Sequence, residues 1–357
     1  MKTLKIIAAG ALIALVVVAL VGCGGGTSSV NMRSGKVYFY QNKDYVKAEE
    51  LFRKAIAEEP TNWEAYYFLG LSLTQQAKFK DAGEAFDKAH DLAPADKKTQ
   101  VVDTQKQYFS DHFKAGRSAM QSNNLKEAIA EFENAVGVYP HDASAYVNLA
   151  FVHRQLGETD DALNAAKKAV SIDSTSIYAW SNLAAIYQGA KDDKAAAEAL
   201  QKVVDLKPTE KEVLSGALYS LGNIHYDAKE YQKALEYYDK AAEIKADDPW
   251  LQYQIGVSHL LLEKYPEALP ALQKCADLTK SSTREDEKGL YQDAMYNLGI
   301  CYIQMQDYDK AIFTLESLLT VQENVEIHEA LGRAYSKKGM KDRAIDELKK
   351  ADVLRNK

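Results

Sequence analysis

Residues 45–60 read YVKAEELFRKAIAEEP, and the same frame returns at 79–94 as FKDAGEAFDKAHDLAP and at 125–140 as LKEAIAEFENAVGVYP. Each copy sets an alanine three residues after an aromatic or leucine, a phenylalanine at seven, an alanine at ten and a proline at fifteen. Following the first alanine gives Ala48, Ala82, Ala128, Ala162, Ala196, Ala234, Ala268, Ala311 and Ala344, at steps of 34, 46, 34, 34, 38, 34, 43 and 33. One 34-residue unit with three insertions explains all the steps. The half-unit before each alanine repeats as well: Leu69-Gly70, Ala115-Gly116, Leu149-Ala150, Leu183-Ala184, Leu221-Gly222, Ile255-Gly256, Leu298-Gly299 and Leu331-Gly332. Three residues beyond each Gly or Ala stands Leu73, Ala119, His153, Tyr187, His225, His259, Tyr302 or Tyr335. By length alone, 357 residues suggest two or three globules, but a repeat overrides that prior.

Apolar positions three, four and seven apart make one face of a helix, so each unit reads as helix A, a short turn and helix B. Asp44, Asn124, Asp192 and Asp307 stand where helix B needs an N-cap, and Pro60, Pro94, Pro140 and Pro208 follow helix B where proline ends a helix without breaking it. This pattern resembles the tetratricopeptide repeat family, whose motif runs Trp, Leu-Gly, Tyr, Ala, Phe, Ala, Pro. Nine repeats are counted: 29–62, 63–96, 109–142, 143–176, 177–210, 215–248, 249–282, 292–324 and 325–357. The resemblance implies an all-α fold, an α-α superhelix in which helix pairs stack as a right-handed solenoid with helices A lining the concave face. Position 20 of each repeat is expected to face the Leu-Gly pair, with large residues at positions 17 and 24 filling the gaps beside it.

Residues 1–22 differ from the rest. Lys2 and Lys5 precede an uncharged stretch from Ile6 to Val21, which reads as a secretory signal peptide. It ends in Leu20-Val21-Gly22-Cys23, which resembles the bacterial lipobox and implies lipidation of Cys23. Several acyl chains together give the stable anchoring that one does not. Residues 23–28 form a flexible tether, then 29–96 hold repeats 1–2, 97–108 a helical insert, 109–210 repeats 3–5, 211–282 repeats 6–7 with a short insert, 283–291 a polar insert loop and 292–357 repeats 8–9. The expected place is extracytoplasmic and membrane-anchored, on the outer membrane where the source has two membranes. Within the repeats, Lys36 replaces the usual glycine, so repeat 1 is expected to be a loose cap; Pro270 falls inside helix B of repeat 7, removes a backbone donor and is expected to kink it.

Composition narrows the function. A formal charge of -7, or -9 without the leader (42 − 51), argues against nucleic acid as a partner. Three cysteines are too few for a disulfide framework. There is no glycine-rich nucleotide loop, Cys-x-x-Cys, His-Glu-x-x-His or nucleophile elbow, so no cofactor, metal or catalytic residue is expected. His153, His225 and His259 take a position held elsewhere by tyrosine, while His112 and His328 take the tryptophan position. Cys275 and Cys301 lie in adjacent repeats at positions usually filled by small apolar residues, which suits inert buried thiols and also permits a disulfide.

In the family, positions 2, 5, 6, 9 and 12 of helix A point into the groove. Here those positions give Asn148, Tyr178, Asn182, Tyr219, Asn223, Tyr226, Trp250, Tyr253, Tyr296 and Asn297. Aromatic side chains are good binding anchors, and asparagine amides suit the backbone of an extended peptide. Position 2 of repeats 4–8 reads Ser144, Tyr178, Gly216, Trp250 and Asp293, so the two-carboxylate clamp of chaperone-binding relatives is not expected. Lys114, Arg117 and Arg154 make one modest basic patch. The expectation is a non-enzymatic, lipid-anchored adaptor that binds extended segments of other envelope proteins, as pilus-assembly pilotins, cell-wall hydrolase adaptors and outer-membrane assembly lipoproteins do. A glycan-binding groove and self-association through terminal repeats are the alternatives.

Overall fold

The computed structural model describes residues 29–356, so Cys23, the leader and the whole tether lie outside the described residues. The described chain is all helix, with no strand: α1 (Val30–Val37), a π-helical turn (Tyr38–Asn42), α2 (Tyr45–Glu58), α3 (Trp63–Thr74), α4 (Phe79–Leu92), α5 (Ala95–Gln121), α6 (Leu125–Val138), α7 (Ala143–Leu156), α8 (Thr159–Ile172), α9 (Ile177–Gly189), α10 (Asp193–Asp205), α11 (Lys211–Asp227), α12 (Tyr231–Ala242), α13 (Pro249–Leu261), α14 (Tyr265–Thr279), α15 (Glu285–Gln304), α16 (Tyr308–Leu319), α17 (Val325–Lys337) and α18 (Lys341–Arg355). Within the first unit α1 to α4 pack in succession, and within the second α7 to α18 do the same, each helix against the next, which is the α-α superhelix class.

Two compact units divide the chain. Among the described residues, the first comprises 29–111 with 137–139, and the second 112–136 with 140–356. The core of the first is aromatic: Phe52, Phe68 and Phe86 are buried with Met32, Leu69 and Leu73, and Phe52 and Phe68 stack with centroids 5.5 Å apart. The second has a chain of cores, built on Leu183, Ile186 and Val203, then Leu235, Tyr238 and Leu251, then Leu272 and Leu298, then Leu315, Ile327 and Leu331.

The repeat alanines are buried in every pair, but they are not what meets the glycines. A Cβ on Gly70, Gly116 or Gly222 would stand 2.7, 2.7 or 2.3 Å from the ring of Phe86, Phe132 or Tyr238, all at position 24. The glycine is thus a slot for the large side chain opposite. Leu272 and Leu315 fill the slots of Gly256 and Gly299 in the same way, at 2.5 and 2.6 Å, and where position 8 is alanine, at Ala150 and Ala184, position 24 is Ala166 and Leu200.

Each turn from helix A to helix B passes through one left-handed residue: Lys43, Ala77, Asn123, Gly157, Lys191, Lys229, Glu263, Gln306 and Gly339. Only Gly157 and Gly339 are glycines, so the other seven positions carry a backbone cost of about 1–2 kcal/mol each that helix packing must offset. The caps at Asp44, Asp192 and Asp307 accept from Lys47 N, Ala195 N and Lys310 N at 2.9, 3.1 and 3.3 Å. Asn62, Asp142, Ser176, Asp248 and Asn324 cap helices A in the same way.

Two expectations change. Repeat 1 is not loose: Gly35, one residue before Lys36, takes the slot, and a Cβ there would stand 2.7 Å from the buried Phe52 ring. The π-helical turn at 38–42 absorbs the extra residue before Lys43 turns left-handed. The 283–291 insert is loop only through Arg284; α15 begins at Glu285, with Glu285, Asp286 and Glu287 favouring its positive N-terminal end. The helix α14 carries Pro270 inside it and still runs unbroken to Thr279. The stretch 97–108 is helical throughout, within the 27-residue α5.

Candidate functional site

In the second unit, first helices of successive pairs touch: α7 meets α9, α13 meets α15 and α15 meets α17. The ten residues singled out from the sequence lie on first helices: Asn148 on α7, Tyr178 and Asn182 on α9, Tyr219, Asn223 and Tyr226 on α11, Trp250 and Tyr253 on α13, and Tyr296 and Asn297 on α15. Tyr178, at the start of α9, is 63% exposed and Trp250, at the start of α13, is 42% exposed. Both are large apolar rings on open surface, where single contacts gain most from burial.

The asparagines are partly committed within the protein. Asn182 Nδ2 donates to Val147 O at 3.0 Å, tying α9 to α7. Asn148 Nδ2 donates to Ser144 O at 2.8 Å, one turn back on α7. Asn297 Nδ2 donates to Tyr253 Oη at 3.3 Å, tying α15 to α13. A backbone carbonyl only accepts, so Asn148 and Asn182 must turn their NH2 groups inward and leave Oδ1 open. Asn223 differs: its Oδ1 accepts from the fully buried Tyr238 hydroxyl at 2.7 Å, which draws it toward α12.

Tyr219, Tyr226, Tyr253 and Tyr296 are half-buried. Tyr219 lies 5.8 Å from the Tyr238 ring, and Tyr226 meets Tyr231 edge-on at 5.4 Å. Burial pushes the Tyr226 phenol up, and burial together with the Asp293 charge pushes Tyr253 up to about 12. Tyr296 packs at the edge of the C-terminal core with Met295 and Ile300. So Tyr219, Asn223, Tyr226 and Tyr253 gather on α11 and α13 with Asn297 beside them, while Asn148, Tyr178 and Asn182 sit on α7 and α9. Of the basic patch, Arg154 lies over the Phe151 ring at 5.5 Å.

The histidines show a pairing the sequence reading missed. His153 Nδ1 meets Glu158 Oε2 at 2.6 Å and His225 Nδ1 meets Glu230 Oε2 at 2.7 Å. In both repeats the glutamate fills the helix-B cap position without capping, and reaches back to the imidazole instead. In repeat 7 that position is Lys264; His259 Nδ1 is left without a partner, and burial pushes this imidazole down. His112 and His328 bond Glu131 and Glu347, the residues nineteen further on. The signal was present as a His–Glu spacing of five or nineteen.

His153, Glu158 and Asp161 are the one set, among the described residues, whose ligand atoms come within 4.8 Å of one another. Their two carboxylates lie at the positive end of α8, which disfavours a cation, and the repeat-6 counterpart places Lys233 in the third position. Cys275 and Cys301 are free and buried, and burial pushes their thiols up to about 12 and about 11, which leaves them unreactive. No described helix is long and apolar enough to cross a membrane.

Profiles described as "Tetratricopeptide repeat" match residues 33–97, 113–177, 177–210, 215–248, 247–324 and 325–355. Among curated proteins, the Arabidopsis thaliana "Protein CTR9 homolog" is 25% identical over 235 residues, which is 62% of this chain and 20% of that protein. The Bacillus subtilis "TPR repeat-containing protein YpiA" is 24% identical over 274 residues, 75% of this chain and 59% of that protein. The chain thus spans less than two thirds of each. Solved structures with a similar course include Pseudomonas aeruginosa pilF, at TM-score 0.48 and 18% identity over 63% of this chain and 97% of that one. Another is YrrB, titled a TPR protein with an unusual peptide-binding site, at TM-score 0.44 and 21% identity over 61% of this chain and 97% of that one.

Proposed function

The chain belongs to the tetratricopeptide repeat family, whose members generally mediate protein–protein interactions, and from that we propose that it is a non-enzymatic adaptor, lipid-anchored at Cys23, that holds extended segments of other cell-envelope proteins. The supporting observation is the surface of first helices from α7 to α15, with Tyr178 and Trp250 open to solvent and the asparagine carbonyls of 148 and 182 unspent. Aromatic anchors would supply contact area, and the amide oxygens would accept from a peptide backbone. The lipobox at 20–23 supports the anchor and the envelope setting.

A pull-down from detergent-solubilised envelopes tests the groove. Tyr178→Ala and Trp250→Ala are the right variants because both rings are exposed. Tyr253→Ala and Asn182→Ala would also remove the bonds to Asn297 and Val147 and so disturb packing between repeats. Loss of a captured protein in the Tyr178/Trp250 double variant supports the groove, and undiminished capture sinks it. For the anchor, Cys23→Ser should move the protein from the membrane to the soluble fraction; retention in the membrane fraction would overturn that part.

A further inference from the structure

The groove's charges say what kind of peptide it suits. Resting on the groove reading above, we propose that the surface around Asp293, where α15 meets α13, is a seat for a cationic side chain of the bound peptide, a lysine ammonium or an arginine guanidinium.

Three observations carry this. First, Asp293 takes position 2 of its repeat, the register in which Tyr178 and Trp250 open to solvent. No salt bridge or hydrogen bond to it is found among the described residues, although the acidic residues just before it on α15 are paired: Asp286 and Glu287 with Arg284, and Glu285 with Lys288. Second, no Lys or Arg of the surrounding first helices is paired with it: α17, which also meets α15, carries Arg333 and Lys337, and neither forms a salt bridge with Asp293. No Lys or Arg occurs anywhere in α9 or α13; α11 has only its first residue, Lys211, and α15 only Lys288, already bound to Glu285. Third, Asp293 is accessible yet partly dehydrated. Burial pushes its carboxyl up, and its charge contributes to the raised phenol of Tyr253. A carboxylate with reduced hydration and no partner gains more from an incoming cation than a fully solvated one. Aromatic faces on the same surface, Tyr253 and Trp250, add the attraction of a ring for a cation.

The test is selection from a random twelve-residue peptide library displayed on phage, against the full protein and against Asp293→Asn, which keeps size and shape. Peptides selected on the unmodified protein should be enriched in Lys and Arg over Asp and Glu, and that enrichment should vanish on Asp293→Asn. In a selected peptide, Lys→Gln should weaken binding about tenfold to the unmodified protein and leave binding to Asp293→Asn unchanged. Peptides that depend on Trp250 but show no cation enrichment, or whose enrichment persists on Asp293→Asn, overturn the inference and leave the groove intact. If no selected peptide is lost on Trp250→Ala or Tyr178→Ala, the groove reading fails and takes the inference with it.

Discussion

Two glycines six residues apart on α11 should respond to alanine with opposite signs. Replacing a helix-interior glycine by alanine ordinarily stabilises by about 0.5–1 kcal/mol, because alanine loses less backbone entropy. Gly216 meets nothing within 4 Å where a Cβ would stand, so Gly216→Ala should gain that amount. At Gly222 the same methyl would stand 2.3 Å from Tyr238 Cε1 and 2.5 Å from Cδ1, far inside the ~3.5–4.0 Å at which carbons rest. The ring cannot easily retreat: Tyr238 is fully buried and its hydroxyl is bonded to Asn223 at 2.7 Å. Overpacking costs about 1–3 kcal/mol, and leaving the buried hydroxyl unpaired costs a similar amount. With the helix-propensity gain subtracted, Gly222→Ala should destabilise by about 1–5 kcal/mol. The assay is urea denaturation followed by circular dichroism, with hydrogen exchange at α11 and α12, because repeat arrays need not unfold in one step. Tyr238→Ala recreates the Ala150–Ala166 combination of repeat 4, so the cost of Gly222→Ala should fall by about 1 kcal/mol or more in that background. If Gly222→Ala stabilises as Gly216→Ala does, or if the two changes at 222 and 238 simply add, the slot-and-ring account is wrong.

Two further outcomes follow from the same geometry. Ala77 occupies the left-handed turn at φ 57°, where repeats 4 and 9 use Gly157 and Gly339, so Ala77→Gly should raise the melting temperature, by about 0.5–1 kcal/mol of stability after the greater freedom of the unfolded glycine is subtracted; a lower melting temperature would refute the strain. Burial tends to push the Glu49 carboxyl up, but hydrogen bonds from Lys78, Arg53 and Gln76 outweigh it and hold the group below its usual 4.5. A depressed carboxylate contributes stability that is full above pH 4.5 and is lost as pH falls through the lower folded value, so hydrogen-exchange protection in α2–α4 should decline on acidification below 4.5 and decline less in Glu49→Gln; an identical acid response in both proteins would remove Glu49 as a cause.

The period was legible because it is written in small residues at buried positions, and a buried alanine or glycine can be read without knowing its partner. The partner was not legible. That position 24 fills the glycine's slot emerges only from the geometry, although the exchange of Gly–Phe for Ala–Ala at 150 and 166 leaves a trace in the sequence. Lys36 misled for a related reason: a fixed 34-residue frame assumes a regular helix, and a π-helical turn moves the glycine by one residue without moving the turn. The A-to-B turns were equally hidden, since seven of the nine left-handed positions hold Lys, Ala, Asn, Glu or Gln where glycine would have marked them. In the loop before α15, polar composition concealed a helix start that three acidic residues favour.

The candidate groove was legible as positions but not as chemistry. Aromatic and amide residues fall at the expected register, yet the register does not say which half of an amide remains free. Holding one first helix to the next consumes donors: Asn182 spends its NH2 on Val147 O and Asn297 on Tyr253, while Asn148 spends its own within α7. What these contacts leave outward are oxygens, the Oδ1 atoms of 148 and 182, to which Asp293 adds a carboxylate and α9 and α13 add no basic residue at all. A surface that keeps its acceptors and spends its donors favours a partner that brings N–H groups and positive charge, since each unmatched acceptor covered by a partner costs about 1–3 kcal/mol. An acidic segment laid along α9, α13 and α15 would meet Asp293 and no lysine or arginine but Lys288, already bound to Glu285, so repulsion as well as attraction separates the two kinds of peptide.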